Sequence, residues 1–421
     1  MNVNQFLLDL VVVLFAAKAG GEISHRLNQP AVLGELLGGV IFGTSVLGAL
    51  ASHAHFLKLL TIGPESSAYP VLSICAQIGM ILLLFEAGLE TDMDELFKLG
   101  TPAMWVAVMG VAFSFVGGYW VMRLLHVGNA GALFVGAAMT ATSVGITARS
   151  FSDLDKSGTK EAKIVLGAAV ADDIIGLIIL GVMSGFATNT MSAVGACKTG
   201  IVAVVFLIGA VVIGRRLAPS IMDLAHRMRT RSALATASLI FCFVLAILAN
   251  YAAGLSPIVG AFAAGLVLAK TSHKLHFIKQ LQPVASVFIP VFFVLTGALM
   301  PISAVNPGSV SGRTVILQTF LLFVVATVAK VLSGLSVPVR KANRMAIGVG
   351  MIPRGEVGLI FAGYGIASGA LTQSLYTEVL LVVMLTTFVT PPLLKVVLGG
   401  PSNEKGGLLS SEAVQQAVPA A

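Results

Sequence analysis

The sequence predicts an all-α membrane protein of thirteen transmembrane helices, and three observations carry that expectation. Of its 421 residues 57% are hydrophobic and only 11% charged, whereas a soluble domain carries roughly 25% charged residues. Apolar windows of about 20 residues, the length a helix needs to cross hydrocarbon, recur thirteen times along the chain. With thirteen spans, nineteen of the 26 Lys and Arg residues fall on one face, and only Lys58, Arg123, Lys198 and Arg313 lie on the other. Basic residues concentrate on the cytoplasmic side, so the N-terminus is expected outside and the C-terminus in the cytoplasm. One span more or fewer would scramble that bias.

The first window, 5–24, follows no basic n-region and precedes no small-residue cleavage site, so it reads as a retained span. Windows at 31–50, 70–89 and 101–122 follow, with Glu86 of LLLFEAGLETD read as interfacial. The fifth, 130–150, clusters Thr140, Thr142 and Ser143 ahead of Gly145. The sixth, 162–186, places Asp172 and Asp173 about ten residues from its cytoplasmic end, which at 1.5 Å per residue is roughly 15 Å and near the midplane. Window 199–214 reads as a linker between two halves. Then come 232–252, with Asn250 as a cap or vestibule residue at its outer end, 255–271 and 284–302. The eleventh, 314–337, carries Lys330 mid-helix; the twelfth, 345–367, carries Arg354 and Glu356 beside Pro353; the last is 375–398. Residues 401–421 are small and polar and predict a mobile tail.

Several function classes are excluded at this level. The net charge of +7 follows from topology, and no basic stripe interleaved with aromatics suggests nucleic acid. Cys75, Cys197 and Cys242 have no ligand spacing and read as packing residues. The histidines lie in loops or at span ends, so no dedicated metal centre is expected. The glycine-rich stretch 348–365 lacks the strand context of a phosphate loop, and no Ser-His, HExxH or GxGD arrangement suggests an enzyme.

Ionisable side chains at mid-bilayer cost at least about 2.5–3.5 kcal/mol each and survive where they pair or line a wet path. Asp172 and Asp173 point about 100° apart on a helix, so one can meet a neighbouring helix while the other faces an aqueous cavity. Lys330, buried at matching depth, is the natural partner for one of them. The remaining negative charge is what a cation or proton site requires. The stretches TATSVG at 140–145 and MIPRGEVG at 351–358 are both helix-weakening. They hold equivalent places if spans one to six and eight to thirteen are two inverted repeats, a pattern found where discontinuous helices form a transport site. Interrupted helices expose partial charges at their ends, which a supporting charge network of Arg354 and Glu356 would compensate.

TATSVG at 140–145, VADD at 170–173, Lys330, MIPRGEVGLI at 351–360, NYAAGLSPIVGAFAAGLVLA at 250–269 and LFEAGLE at 84–90 together resemble the bacterial sodium/proton antiporters, most nearly the monovalent cation:proton antiporter family of the thirteen-helix, Asp-Asp type. The resemblance implies two crossed discontinuous helices, a homodimer, and an elevator-like movement of a core domain (helices including 70–186 and 284–398) against dimerisation helices (including 5–50 and 199–271). It implies that Asp173 is the main Na+- and proton-binding carboxylate. Asp172 would pair with Lys330 and share the Na+ site, and Thr140, Thr142 and Ser143 would offer oxygens. It further implies electrogenic exchange across the cell inner membrane, with monovalent cation and protons as cargo, lipid as surroundings and no cofactor. The alternatives kept open are a K+/H+ antiporter or potassium efflux system, and a sodium-coupled solute symporter of similar fold.

Overall fold

The computed structural model describes residues 3–398 except 28, 45, 51–59, 91–92, 153, 155, 157, 187–192, 229, 231, 272–273, 302–304 and 340–341. The tail at 401–421 lies outside the described residues. Helix follows helix, and the described residues contain no strand beyond an isolated bridge between Gly43 and Ile62. The elements are α1 (Val3–Arg26), α2 (Ala31–Phe42), a single turn α3 (Leu47–Leu50), α4 (Tyr69–Glu90), α5 (Met93–Leu124), α6 (Asn129–Ala138), α7 (Val144–Ser152) and α8 (Lys160–Phe186). After them come α9 (Ala193–Arg227), α10 (Ala233–Ala253), α11 (Pro257–Leu268), α12 (Lys274–Ala298), α13 (Val310–Ser336), α14 (Arg344–Gly350), α15 (Glu356–Ala367) and α16 (Gln373–Leu398).

Among the described residues, eight helices are long and apolar enough to cross a membrane: those within α4, α5, α8, α9, α10, α12, α13 and α16. The other five apolar windows hold helices that are shorter, interrupted or more polar. Large apolar side chains such as Val11, Phe15, Trp120, Ile208 and Ile240 are more than half exposed on the outside of the molecule. Water would penalise such a surface and lipid would not. The chain is an all-helical, multi-pass membrane protein.

Local chemistry sets the helix ends. Gly254 takes a left-handed φ of 64° to close α10, and Pro257 at the first turn of α11 starts the next helix. The side chains of Ser309 and Asn343 accept from the Gly312 and Ala346 N–H groups and cap α13 and α14. Gly100, with φ 67°, bends α5 just before its membrane-spanning stretch Gly100–Leu124.

Two windows are broken where the sequence weakens them. The fifth is split into α6 and α7, with residues 139–143 between. There Thr140 Oγ1 donates to the Ala137 carbonyl at 2.7 Å, a local bond that competes with continuing the helix. The twelfth is split into α14 and α15 by residues 351–355. Pro353 has no N–H to donate and pushes Ile352 out of helical geometry.

The helices sort into two packed sets. The first holds α1, α2, α4, α10, α11 and α12, and the second α5, α6, α7, α8, α13, α14, α15 and α16; α9 packs on α8 of one and on α10 and α11 of the other. Within each set, glycines let backbones touch. A Cβ on Gly39 would fall 2.1 Å from the Val294 carbonyl oxygen, and one on Gly334 would fall 2.2 Å from the Gly348 nitrogen. The helices at 70–89 and 284–302, placed with the core from the sequence, are α4 and α12, and they pack with α2 and α11 in the first set. Gly79 and Gly88 of α4 explain why, since each lies against a backbone carbonyl of that set, Phe288 and Phe262 respectively.

Candidate ion-binding site

The two chain breaks meet in the middle of the second set and are bonded to each other. The Ser143 N–H donates to the Pro353 carbonyl at 2.8 Å. Thr147 Oγ1, one turn into α7, donates to the Gly350 carbonyl at 2.8 Å. Gly355 lies so close that a Cβ there would sit 2.6 Å from the Ser143 Cβ. Some of the backbone groups released by one interruption are therefore satisfied from the other, as buried positions in hydrocarbon surroundings require.

α8 runs past this crossing and brings Asp172 to it. Asp172 is fully buried, and its Oδ2 accepts from Lys330 Nζ at 2.5 Å and from Thr142 Oγ1 at 2.7 Å. Lys330 is equally buried, reaching across from α13. Gly110 on α5 gives its side chain room, since a Cβ there would lie 3.1 Å from Nζ. Asp172 Oδ1 has no hydrogen-bond partner. Thr142 Oγ1 also lies 3.2 Å from the Met351 carbonyl. The hydroxyl has one proton, and the shorter, charge-assisted bond to the carboxylate takes it. The Met351 oxygen is thus turned toward the site with little claim on it. Asp173, one residue on, is partly exposed, as the 100° step between neighbours requires.

Arg354 is the second buried cation. Its Nη1 donates to the Ala141 carbonyl at 3.5 Å, and its Nη2 to Ser114 Oγ at 3.3 Å and the Ala326 carbonyl at 3.1 Å; Nε has no partner. Its own backbone is held by Thr386 and Thr387 of α16, at 3.3 and 3.1 Å. The positive charge therefore rests among neutral oxygens of the first break and of α13, where it compensates exposed carbonyls. The side chain of Glu356 lies outside the described residues.

The structure brings Asp172, Lys330, Thr142 and Arg354 together, with Asp173 on the adjacent helix face. Ser143 lies at the crossing and lines a cavity of about 290 Å³ with Arg354, Gly355 and Thr387. Thr140 is the outlier, its hydroxyl bonded to its own helix end at Ala137. A larger cavity of about 460 Å³ lies between the two sets on the side of Tyr69, Leu299 and Tyr376, and neither cavity is lined by an aspartate of the pair. The sequence reading passed over Thr147, Ser114, Thr386 and Thr387, whose hydroxyls carry no signal beyond composition. It also passed over Asp9 and Glu378, both buried, which the cost of an ionisable residue within an apolar window would have flagged.

Chemically the site offers a hard, oxygen-rich environment: one free carboxylate oxygen, a neighbouring carboxylate and a carbonyl. Such donors suit an alkali cation and also a proton. Comparisons with known proteins agree in kind. The family model described as "Sodium/hydrogen exchanger, transmembrane" matches residues 11–399. The high-affinity Na(+)/H(+) antiporter NhaS3 of Synechocystis is 41% identical over 95% of this chain and 91% of its own length. The Na(+)/H(+)-K(+) antiporter GerN of Bacillus cereus is 35% identical over 94% of this chain and 97% of its own. The solved structure of the sodium proton antiporter MjNhaP1 from Methanocaldococcus jannaschii at pH 8 superposes with a TM-score of 0.72 at 16% identity, over 95% of this chain and all of that one.

Proposed function

The chain belongs to the transmembrane sodium/hydrogen exchanger family, and from that premise we propose that it is a secondary active antiporter. It exchanges a monovalent cation, Na+ first, for protons by alternating access at Asp172 and Asp173. The observation that carries this reading is the buried Asp172–Lys330 pair, bonded by Thr142 at the point where two broken helices cross. Asp173 is the carrier: it holds Na+ or a proton but not both, and unneutralised it does not pass the bilayer barrier. Competition for one carboxylate is sufficient for obligatory exchange. Asp172 pairs with Lys330 in the state described and exchanges that partner when ion or proton arrives. A second proton from this pair makes each cycle move one net charge, worth about 2.3 kcal/mol per 100 mV.

The same reading includes thirteen spans in two inverted repeats around the fifth and twelfth windows, with the N-terminus outside and the C-terminus in the cytoplasm. It places a homodimer in the cell inner membrane, with the second helix set moving against the first. The division into two packed sets supports that movement. A second cation is also favoured. The relative GerN is an Na(+)/H(+)-K(+) antiporter, and a site of one carboxylate oxygen and a carbonyl is compatible with K+.

The test is Na+-driven proton movement in proteoliposomes, read with an entrapped pH dye, with Li+ and K+ added in turn. Wild type is expected to dequench on Na+ and Asp173→Asn to be silent. Equal responses from the two would remove Asp173 from the site, and no response from wild type would remove the exchange reading itself.

A further inference from the structure

Glu378 sits in the second turn of α16, fully buried, and neither Oε1 nor Oε2 has a hydrogen-bond partner. Asp9, the other buried acid found outside the ion site, differs in being held by Ser66 Oγ and Gln5 Nε2. The charged and titratable groups on the elements packed against α16 are few. They are Arg313 and Lys330 on α13, Arg344 on α14, Arg149 on α7, and Tyr364 and Glu356 on α15; α6 has none. Tyr69 of α4 faces Tyr376 across the larger cavity, and α12, which meets α16 at Thr296, carries Lys274, His276 and Lys279 only in its first turns, at the end away from Thr296. Lys330 is committed to Asp172, Arg344 lies on the Val339 carbonyl and Arg313 on that of Pro307. On α16 itself Tyr376 donates to the Thr296 carbonyl at 2.7 Å, and Lys395 lies in the last turn. The side chains of Arg149 and Glu356 lie outside the described residues.

A bare carboxylate in such a place has neither donor nor counter-ion, the costliest state a buried acid can take. Some positive charge must accompany it. A metal cation wants a shell of several oxygens, whereas a proton needs one. Among the described residues, α13, which packs on α16, has two buried hydroxyls without a partner of their own, Thr319 Oγ1 and Thr327 Oγ1. Glu378 also lies two residues from Tyr376, which lines the 460 Å³ cavity, so it stands at the depth of that cavity rather than at the depth of the crossing.

We propose that Glu378 is a second proton-binding site, separate from Asp172 and Asp173, which takes up a proton on Oε and returns it to water during the exchange proposed above. One O–H bond forms and the same bond breaks, and the carboxylate is exposed to water only in the state that releases the proton.

The full chain is reconstituted as wild type, Glu378→Gln and Glu378→Asp, and exchange is measured across a pH series. Glu378→Gln is expected to change the proton concentration for half-maximal exchange by about tenfold or more, with Glu378→Asp closer to wild type. Infrared spectra of the same samples are expected to show a carbonyl stretch of a protonated carboxyl in wild type that disappears at high pH and is missing in Glu378→Gln. A Glu378→Gln protein with the wild-type pH profile overturns the proposal and leaves Glu378 a neutral packing group. Should Glu378→Gln not fold, a wild-type band that Glu378→Asp leaves unshifted, or that does not titrate across the exchange range, overturns it equally. If wild type shows no Na+-driven proton movement the exchange reading falls, and the infrared titration still decides whether Glu378 binds and releases a proton.

Discussion

Removing Lys330 is the perturbation whose consequence the geometry specifies most closely. Both side chains of the Asp172–Lys330 pair are fully buried and 2.5 Å apart. Lys330→Met keeps the bulk of the side chain and deletes the charge. Asp172 then retains one donor, the Thr142 hydroxyl at 2.7 Å, and already has one unpartnered oxygen. Breaking a buried pair from one side costs about 3–5 kcal/mol because a charge is left without compensation. Replacing both partners removes that charge as well, so Lys330→Met with Asp172→Asn should fall short of the summed single costs by about 2 kcal/mol or more. Equilibrium unfolding of the purified protein in mixed micelles gives all four corners of the cycle. Distant independent sites add to within about 0.5 kcal/mol. Additivity at that level between Lys330 and Asp172 would refute the claim that the pair is energetically coupled in its buried place.

Two further predictions concern the crossing. Thr142→Val deletes the donor to Asp172 and is expected to weaken cation binding by about 1–3 kcal/mol, read as a rise in the Na+ concentration for half-maximal exchange; an unchanged value would show that Thr142 only shapes the break. Gly355→Ala places a Cβ 2.6 Å from that of Ser143; exchange is expected to fall strongly in a protein that still folds. Ser143→Gly in the same chain should recover part of it, and a single variant with wild-type exchange would mean that the two breaks are not held as described.

Much of the fold was legible because membranes make sequence unusually literal. A run of about 20 apolar residues has few alternatives to a helix, and both interruptions announced themselves, one by Pro353 and the other by consecutive Thr and Ser residues. That Lys330 would pair with one of the two aspartates was legible for a related reason, since opposite charges at one depth have nowhere else to go; that the partner is Asp172 was implied only by the family resemblance. Partners within the bundle were not legible. Whether α4 joins one helix set or the other depends on which carbonyl sits opposite Gly79 and Gly88, and nothing local to those residues says so. Thr140 and Thr142 look alike in sequence, yet one hydroxyl turns back onto its own helix and the other onto Asp172, a choice made by the local geometry of the break. Glu378 has no second charge near it in sequence, yet a solitary acid in an apolar run is itself a signal.

The placement of the glycines bears on how the molecule can deform. Among the described glycines, every position where an added Cβ would fall within 3 Å of a backbone atom of another helix joins two helices of the same set. Across the sets the corresponding contact is made by a side chain, as where Gly181 of α8 meets Leu255 Cδ2 at 2.9 Å. Backbone seated on backbone cannot slide without collision, whereas a leucine can change rotamer as a surface passes it. Stiffness is thus concentrated inside each half of the bundle, and the boundary between them, where the larger cavity lies, is closed by side chains that can repack.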